Sequence, residues 1–340
     1  MKVLIVSPTQ SGIGGIAKHV QGLTDFLKSK NQSVKIISSE NTFTIPIKKL
    51  KNPSFMLSAF LKTKFSENYD IIHAHHPIGA LSFKGTNAKK VVTFHAVFSK
   101  QIGMLHGDAA HDLSHKYEQN ALDWADAITA GSKDAFDYYS NLGYNVHYIP
   151  NAIDINSLPT NINKKYKKQI VFVGRLSKEK GIESLIKLSD ILPNDIHLII
   201  IGAGPMENEI KKISKSHSNI DFQGYLPKSE VIPLIRGSTA LIQPSLAEGI
   251  SSTLLEAMSC KIPIIASNVG GNKELIINNE NGFLIDPKSV EQLNEKIIQL
   301  CEDEDLVAKF GRKSSELVKN FEWSNVGQKY LELYESLLSK

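Results

Sequence analysis

Short, continuous apolar runs punctuate the chain at intervals too regular for a bundle or a sandwich. They fall at 3–7, 34–39, 70–74, 90–95, 127–132 and 145–149, and after a gap at 170–174, 197–202, 220–224, 240–245, 262–267 and 282–286. Most are unbroken stretches such as VLIV, IVFV and LIII, the pattern of strands buried on both faces. Amphipathic stretches at 18–30, 114–125, 182–192, 206–216 and 289–302 separate many of them and predict helices. Strand and helix in alternation give parallel sheets joined by right-handed crossovers. The polar stretch Asn156 to Lys168 reads as a linker, dividing the chain into two doubly wound α/β halves, 1–155 and 156–324. In such sheets ligands sit beyond the carboxyl ends of the strands, so a cleft between facing halves is the expected site.

Composition narrows the class without deciding the chemistry. The chain has 340 residues, too many for one ordinary core, with 41% hydrophobic and 22% charged residues. Two cysteines, Cys260 and Cys301, make no disulfide scaffold and point to a reducing compartment. No apolar run reaches the eighteen or so residues that span a bilayer, and Met1 to Ser7 reads as a strand rather than a signal peptide. A cytoplasmic protein is expected. The net charge of +4 suits anionic ligands or an anionic surface, and nothing in the pattern calls for nucleic acid.

The densest chemistry lies between Pro244 and Lys273. Glu248 and Glu256 stand eight apart around a Gly249-Ile250-Ser251-Ser252 turn and the start of a helix. A strand, a loop and a helix N-terminus in that order make an anion pocket, because unpaired backbone N–H groups and the helix dipole both face outward. Carboxylates beside such a pocket are suited to accept hydrogen bonds from hydroxyls. An anion flanked by hydroxyls on both sides describes a nucleotide sugar. In the same half, strand 170–174 ends in Gly174-Arg175, followed by Lys180-Gly181. Arg175 offers a planar fork to phosphate oxygens and Lys180 a compact charge, although a solvated charged loop has the same composition.

In the first half, Gly12-Ile13-Gly14-Gly15-Ile16-Ala17 is a loose form of the dinucleotide fingerprint, with Glu40 available as a ribose acid. The interval between strand and glycines is long for that turn. Gly14 and Gly15 otherwise let backbone amides approach a phosphate, or form a plain flexible turn. His95 ends the run Val91 to Phe94, a position at a strand tip. His73, His75 and His76 end the preceding strand and read as packing or surface residues. His111 and His115 lie at i, i+4 but enclose Asp-Leu-Ser rather than a zinc motif, so no metal site is expected. Residues 46–65 mix lysines with Phe55, Met56, Leu57, Phe60, Leu61 and Phe65, a helix packed on the sheet or one lying on the inner face of an anionic membrane.

Together these residues resemble the retaining GT-B glycosyltransferases, specifically glycosyltransferase family 4, the "group 1" transferases. The resemblance covers nearly the whole chain. It rests on Gly14-Gly15 with His19, Pro150-Asn151-Ala152-Ile153-Asp154, Gly174-Arg175 with Lys180-Gly181, Glu248-x7-Glu256-Ala257-Met258, and Gly270-Gly271 with Glu274. Ile250-Ser251 stand where the family often has Phe-Gly, and Ala152 replaces a common glycine.

The resemblance implies two Rossmann-like domains facing across a cleft, with a last helix, about Asn325 to Lys340, returning to the first. It implies transfer of a sugar from a UDP- or GDP-sugar to a glycan, lipid-linked or small-molecule acceptor, as in glycan or lipopolysaccharide synthesis, with retention and without cofactor or metal. Arg175 and Lys180 would hold the diphosphate, Glu256 the ribose, Glu248 the transferred sugar. His95 would stand near the anomeric carbon, Gly15 near the phosphate, and the backbone from Gly249 through Ser252 would complete the anion site. Gly202 to Gly204 and Gly224-Tyr225 would lie near the base. Competing readings are an NAD-linked oxidoreductase on Gly12–Ala17 and Glu40, a sugar-nucleotide epimerase or phosphorylase, and a non-catalytic scaffold.

Overall fold

The computed structural model describes residues 1–10, 15–47, 50–99 and 108–339. The chain forms two compact units, Met1–Ala152 with Glu322–Lys340, and Ile153–Phe321.

The first unit is built on six parallel strands, β1 (Lys2–Val6), β2 (Ser33–Ile37), β3 (Ile71–Ala74), β4 (Lys89–Phe94), β5 (Ala127–Ala130) and β6 (Val146–Tyr148), in the order β2-β1-β3-β4-β5-β6. Alternate residues of β1 enter different cores. Val3 and Ile5 pack with α1 (Gly15–Ser29) and the terminal helix α12 (Trp323–Leu338), whereas Leu4 and Val6 pack with α2 (Lys51–Lys64) and the aromatic side chains beyond it. Both faces are therefore apolar, which is why the strand reads as an unbroken run. The unit also holds α3 (Asp108–Trp124) and α4 (Lys133–Asn141). Helices α1 and α12 meet closely: a Cβ on Gly22 would stand 2.2 Å from the Trp323 ring, and one on Gly327 2.4 Å from the Phe26 ring.

The second unit repeats the plan with β7 (Lys168–Val173), β8 (Ile196–Ile201), β9 (Ile220–Gly224), β10 (Ala240–Gln243), β11 (Ile264–Ser267) and β12 (Gly282–Ile285), all parallel, in the order β12-β11-β10-β7-β8-β9. Its helices are α5 (Ile182–Ser189), α6 (Glu207–Ser216), α7 (Lys228–Arg236), α8 (Ser252–Ser259), the single turn α9 (Asn272–Leu275), α10 (Val290–Glu302) and α11 (Glu304–Leu317). Ile170 and Phe172 face one core and Val171 the other. Each apolar run read from the sequence coincides with one of these twelve strands, within two residues at either end.

The polar stretch read as a linker is not a free tether. Leu158 is buried in the second unit's core, Asn163 N–H donates to the Pro233 carbonyl at 2.9 Å, and Arg236 Nε donates to the Pro159 carbonyl at 2.7 Å. Three backbone and side-chain anchors override a composition that taken alone favours solvent.

Candidate functional site

In the second unit, β10 runs through the loop 244–251 into α8, the strand, loop and helix order expected from the sequence. Beside it, β7 leads through Gly174 and Arg175 to a short 3-10 turn, Lys178–Lys180. Two glycines clamp these loops together. Gly181 has φ +73°, and a Cβ there would lie 1.8 Å from the Pro244 carbonyl oxygen. Gly270 has φ +47°, and a Cβ there would lie 1.8 Å from the Glu248 carbonyl oxygen, which also accepts the Gly271 N–H at 3.1 Å. Only glycine allows both the left-handed backbone and the close approach. Leu246 N–H donating to the Glu179 carbonyl at 2.8 Å completes the join.

This packing brings Lys180 to Glu248. Lys180 Nζ lies 2.5 Å from Glu248 Oε1, and the same oxygen accepts Gln243 Nε2 at 2.8 Å and the Ser245 hydroxyl at 2.9 Å. All three donors act on Oε1; Oε2 has no hydrogen bond among the described residues. The Glu248 side chain is 8% exposed and that of Lys180 27%. Burial with a full set of donors on one oxygen fixes the carboxylate and leaves the other as an acceptor.

Ser251 stands at the N-cap of α8 but does not cap it; its hydroxyl donates to Gln243 Oε1 at 3.0 Å. The first-turn amides of α8, including that of Ser252, have no side-chain cap, the condition under which a helix N-terminus holds an anion. Gln243 thus orders both Glu248 and Ser251, and it approaches Asn272 Oδ1 at 3.4 Å. Glu256, in the second turn of α8, is buried, and Lys228 Nζ lies 4.0 Å from its Oε1. The two acids therefore keep separate lysines. Arg175 is exposed, and no hydrogen bond or ion pair joins its guanidinium to Lys180, Glu248 or Glu256 among the described residues. Gly174 N–H donates to the Ile201 carbonyl at 3.0 Å and Gly202 N–H to the Gly224 carbonyl at 2.8 Å, so these glycines close the sheet edge near Gly204; Tyr225 beyond it is exposed.

In the first unit, Gly15 opens α1, where an added Cβ would meet nothing within 4 Å among the described residues, and the first turn holds no acid. Gly14 lies outside the described residues. His95 follows β4. Its Nδ1 lies 3.1 Å from Asn151 Oδ1, and its buried Nε2 has no partner among the described residues. Three other histidines crowd this end of the sheet. His19 centres 4.9 Å from His95 and 5.3 Å from His75, which stacks on His95 at 5.7 Å and lies 4.0 Å from His73. His73 is held by the Tyr334 hydroxyl at 2.6 Å and Thr93 Oγ1 at 2.7 Å; His19 lies 3.2 Å from the Tyr330 hydroxyl. Burial holds His95 down to about 4 and both His73 and His76 to about 3, while His19 and His75 are pushed well below the ordinary value first by burial and then by the charge of neighbouring histidines, His95 and His73 among them. All are neutral near pH 7. No cluster of His, Cys, Asp or Glu able to hold a metal occurs among the described residues; the His111 side chain lies outside them.

Sequence reasoning missed Gln243, Ser245, Lys228 and the coupling of His19 to His95. A polar residue closing the buried strand 240–243 was the available signal for Gln243. Lys228 carried none, because it meets Glu256 only in three dimensions. Glu40, the candidate ribose acid of a dinucleotide fold, instead accepts the Gln10 backbone N–H at 3.0 Å.

Comparison with known proteins falls on the same two units. A family model described as "Glycosyl transferases group 1" matches residues 155–317, and one described as "Glycosyltransferase Family 4" matches 13–157. An uncharacterised glycosyltransferase of Methanocaldococcus jannaschii is 28% identical over 357 aligned positions, covering 99% of each chain. Among solved structures, sucrose-phosphate synthase from Thermosynechococcus elongatus superposes with a TM-score of 0.84 at 20% identity over 99% of both chains. HepE of Anabaena, in complex with UDP and glucose, superposes with a TM-score of 0.77 at 18% identity over 99% of this chain and 100% of its own.

Proposed function

The chain belongs to the group 1 glycosyltransferases of glycosyltransferase family 4, with the GT-B pair of Rossmann-like sheets, and from that membership we propose that it moves a hexosyl group from a UDP- or GDP-sugar to a glycan, lipid-linked or small-molecule acceptor with retention of anomeric configuration. The observation that carries the donor assignment is the carboxylate of Glu248, saturated on Oε1 by Lys180, Gln243 and Ser245 beside the uncapped N-terminus of α8, with Oε2 left to accept. A diphosphate fits the amides and the lysine, and a sugar hydroxyl fits Oε2.

Cleaving a glycosyl–phosphate bond leaves positive charge on the sugar and added negative charge on the diphosphate. Lys180, Arg175 and the amides from Gly249 to Ser252 would meet that developing charge. Removing one preorganised donor of this kind typically costs about 3–4 kcal/mol of barrier. Lys180 enters this role from its pair with Glu248, so the diphosphate competes with a carboxylate already in place. Glu256 would accept from the ribose hydroxyls, its orientation supported by Lys228. His95, neutral and with Nε2 unspent, would hydrogen-bond the sugar near its anomeric carbon. Gly15 would bring the first amide of α1 toward the phosphate. Fixed cations would take the part a divalent ion plays elsewhere, and the leaving phosphate would accept the acceptor's proton.

The test is a thermal-shift panel of UDP, GDP, ADP and their sugars, with UDP first because HepE holds UDP and glucose. A ligand that binds only the native state raises the midpoint with its affinity. The matching donor is then used in transfer assays with and without EDTA, and the product's anomeric configuration is read by NMR. An inverted product removes the retaining mechanism; loss of turnover in EDTA, restored by a divalent ion, removes the metal-free one. Glu256→Ala and Lys180→Ala variants that transfer within threefold of the parent remove those two roles.

A further inference from the structure

His95 stands where three neighbouring strands of the first sheet end. It follows β4, Gly131 lies just past β5, and Asn151 comes just after β6. Gly131 leaves room for the side chains on either side to meet: a Cβ there would come 3.4 Å from His95 Nδ1 and 3.6 Å from Asn151 Oδ1. Across that gap the two atoms lie 3.1 Å apart. An amide oxygen only accepts, so the imidazole proton sits on Nδ1 and Nε2 carries the lone pair. The Asn151 side chain favours the protonated form of both His95 and His19, as an oxygen facing the rings does and an amide N–H does not. The protons of the surrounding cluster are committed elsewhere. The Val92 carbonyl can only accept, so Thr129 donates to it at 3.4 Å; Thr93 then donates to Thr129 at 2.5 Å, His73 Nε2 to Thr93 at 2.7 Å, and the Tyr334 hydroxyl to His73 Nδ1 at 2.6 Å. The Tyr330 hydroxyl lies nearer His19 Nε2, at 3.2 Å, than Thr93 Oγ1, at 3.5 Å, and donates to the ring. Among the described residues nothing donates to His95 Nε2, which is buried.

We propose that Asn151 is a positioning residue: its carbonyl oxygen holds the His95 proton on Nδ1 and so makes Nε2 a hydrogen-bond acceptor, which takes the O–H of an uncharged hydroxyl on the transferred sugar and turns away a carboxylate or a phosphate. A buried acceptor is costly until a donor reaches it, and a hydroxyl is the donor a sugar carries. The ring is neutral near pH 7, so it offers an anion no charge. An anionic oxygen has no proton to give and would face the lone pair. The polarity is thus opposite to that of the second unit's helix N-terminus, whose free amides suit an anion. The nature of the ligand rests on the sugar-transfer reading; the tautomer of His95 does not.

The experiment is long-range 1H–15N correlation of the full chain labelled with 15N-histidine, near pH 7, with the His95 signals identified by their loss in His95→Gln. In the ligand-free parent Nδ1 should be protonated and Nε2 bare. Asn151→Leu should let the proton pass in part to Nε2; Asn151→Ala, which adds no bulk beside Gly131, serves the same purpose if the leucine variant folds poorly. Adding the nucleotide sugar chosen by the thermal-shift panel should move the bare Nε2 signal, and the nucleoside diphosphate alone should not. In turnover, Asn151→Leu should lower kcat about tenfold, the worth of one hydrogen bond, with a smaller change in KM for donor. A His95 proton on Nε2 in the parent, a tautomer unchanged in the folded Asn151 variants, no shift with the nucleotide sugar, or an equal shift with the diphosphate alone each overturn the proposal. A parent with its proton on Nδ1 that turns over no nucleotide sugar supports the Asn151 role and removes the sugar-transfer reading alone.

Discussion

Lys180 and Glu248, 68 positions apart, meet at 2.5 Å with the carboxylate nearly buried and the lysine side chain only partly exposed. The lysine reaches the acid because Gly181 lets its loop rest on Pro244, and the acid stays put because Gln243 and Ser245 hold the same oxygen. Substituting Lys180 by alanine therefore does two separable things. It removes a cation from the proposed diphosphate site, lowering kcat/KM by about 10²–10³-fold. It also leaves a desolvated carboxylate short of a partner, costing about 1–3 kcal/mol of stability. Glu248→Gln should relieve the second effect and not the first. In a double-mutant cycle the stability terms should couple by more than about 0.5 kcal/mol; strictly additive midpoints would show that the pair contributes nothing to the fold.

Gln243 touches both the acid and the N-cap serine of α8, with no expected contact to the donor. Gln243→Leu keeps the volume and removes both hydrogen bonds. The expected result is a lower kcat with a smaller change in KM for donor, because Glu248 and Ser251 lose their common orientation. A conservative Gln243→Glu variant should not rescue, as it would set a second carboxylate against Glu248. Wild-type kcat in Gln243→Leu would make the network decorative.

Gly270→Ala tests the loop geometry without touching a charged group. The added methyl cannot occupy a point 1.8 Å from the Glu248 carbonyl oxygen, and the backbone sits at φ +47°. The cost should exceed 1 kcal/mol, roughly the penalty for a non-glycine residue forced into left-handed backbone, plus the displacement of the Glu248 loop. Urea titration followed by far-UV dichroism would measure it, and donor affinity should fall in step.

The neutral histidines predict acid sensitivity confined to one unit. Below pH 6.5 an unfolded chain protonates His19, His73, His75, His76 and His95, whereas the folded unit resists down to about 3 to 4 for those with resolved values. The unfolded state then binds more protons, so stability is full above about pH 6.5 and falls as pH drops toward 4. Both tryptophans of the sequence, Trp124 and Trp323, lie in the first unit. Tryptophan-detected melting midpoints should thus decline between pH 6.5 and 4. A flat profile over that range would contradict burial of these rings in the neutral form.

Much of this was legible in the residues themselves. Strands buried on both faces announce themselves as continuous apolar runs, and Val3 to Val6 or Ile170 to Val173 need no partner to be read. The anion site was legible because strand, loop and helix start are consecutive in the chain around Glu248. What the sequence hid is what tertiary packing creates. The Lys180–Glu248 pair, the Lys228–Glu256 approach and the ring of histidines around His19 join residues tens to hundreds of positions apart. The polar run from Asn156 to Lys168 misled for the same reason, since its hydrogen bonds to Pro233 and Arg236 leave no trace in composition.

Helix α12 fills the first unit's core with Val326, Tyr330, Tyr334 and Leu337, yet every residue of the second unit precedes it in the chain. On the ribosome the leading sheet must wait, with one apolar flank bare, until the whole trailing sheet has been made. The second unit has no such delay and can consolidate first, reversing the usual amino-to-carboxyl sequence of domain maturation. Nascent chains arrested before Trp323 should accordingly be the species that recruits chaperones.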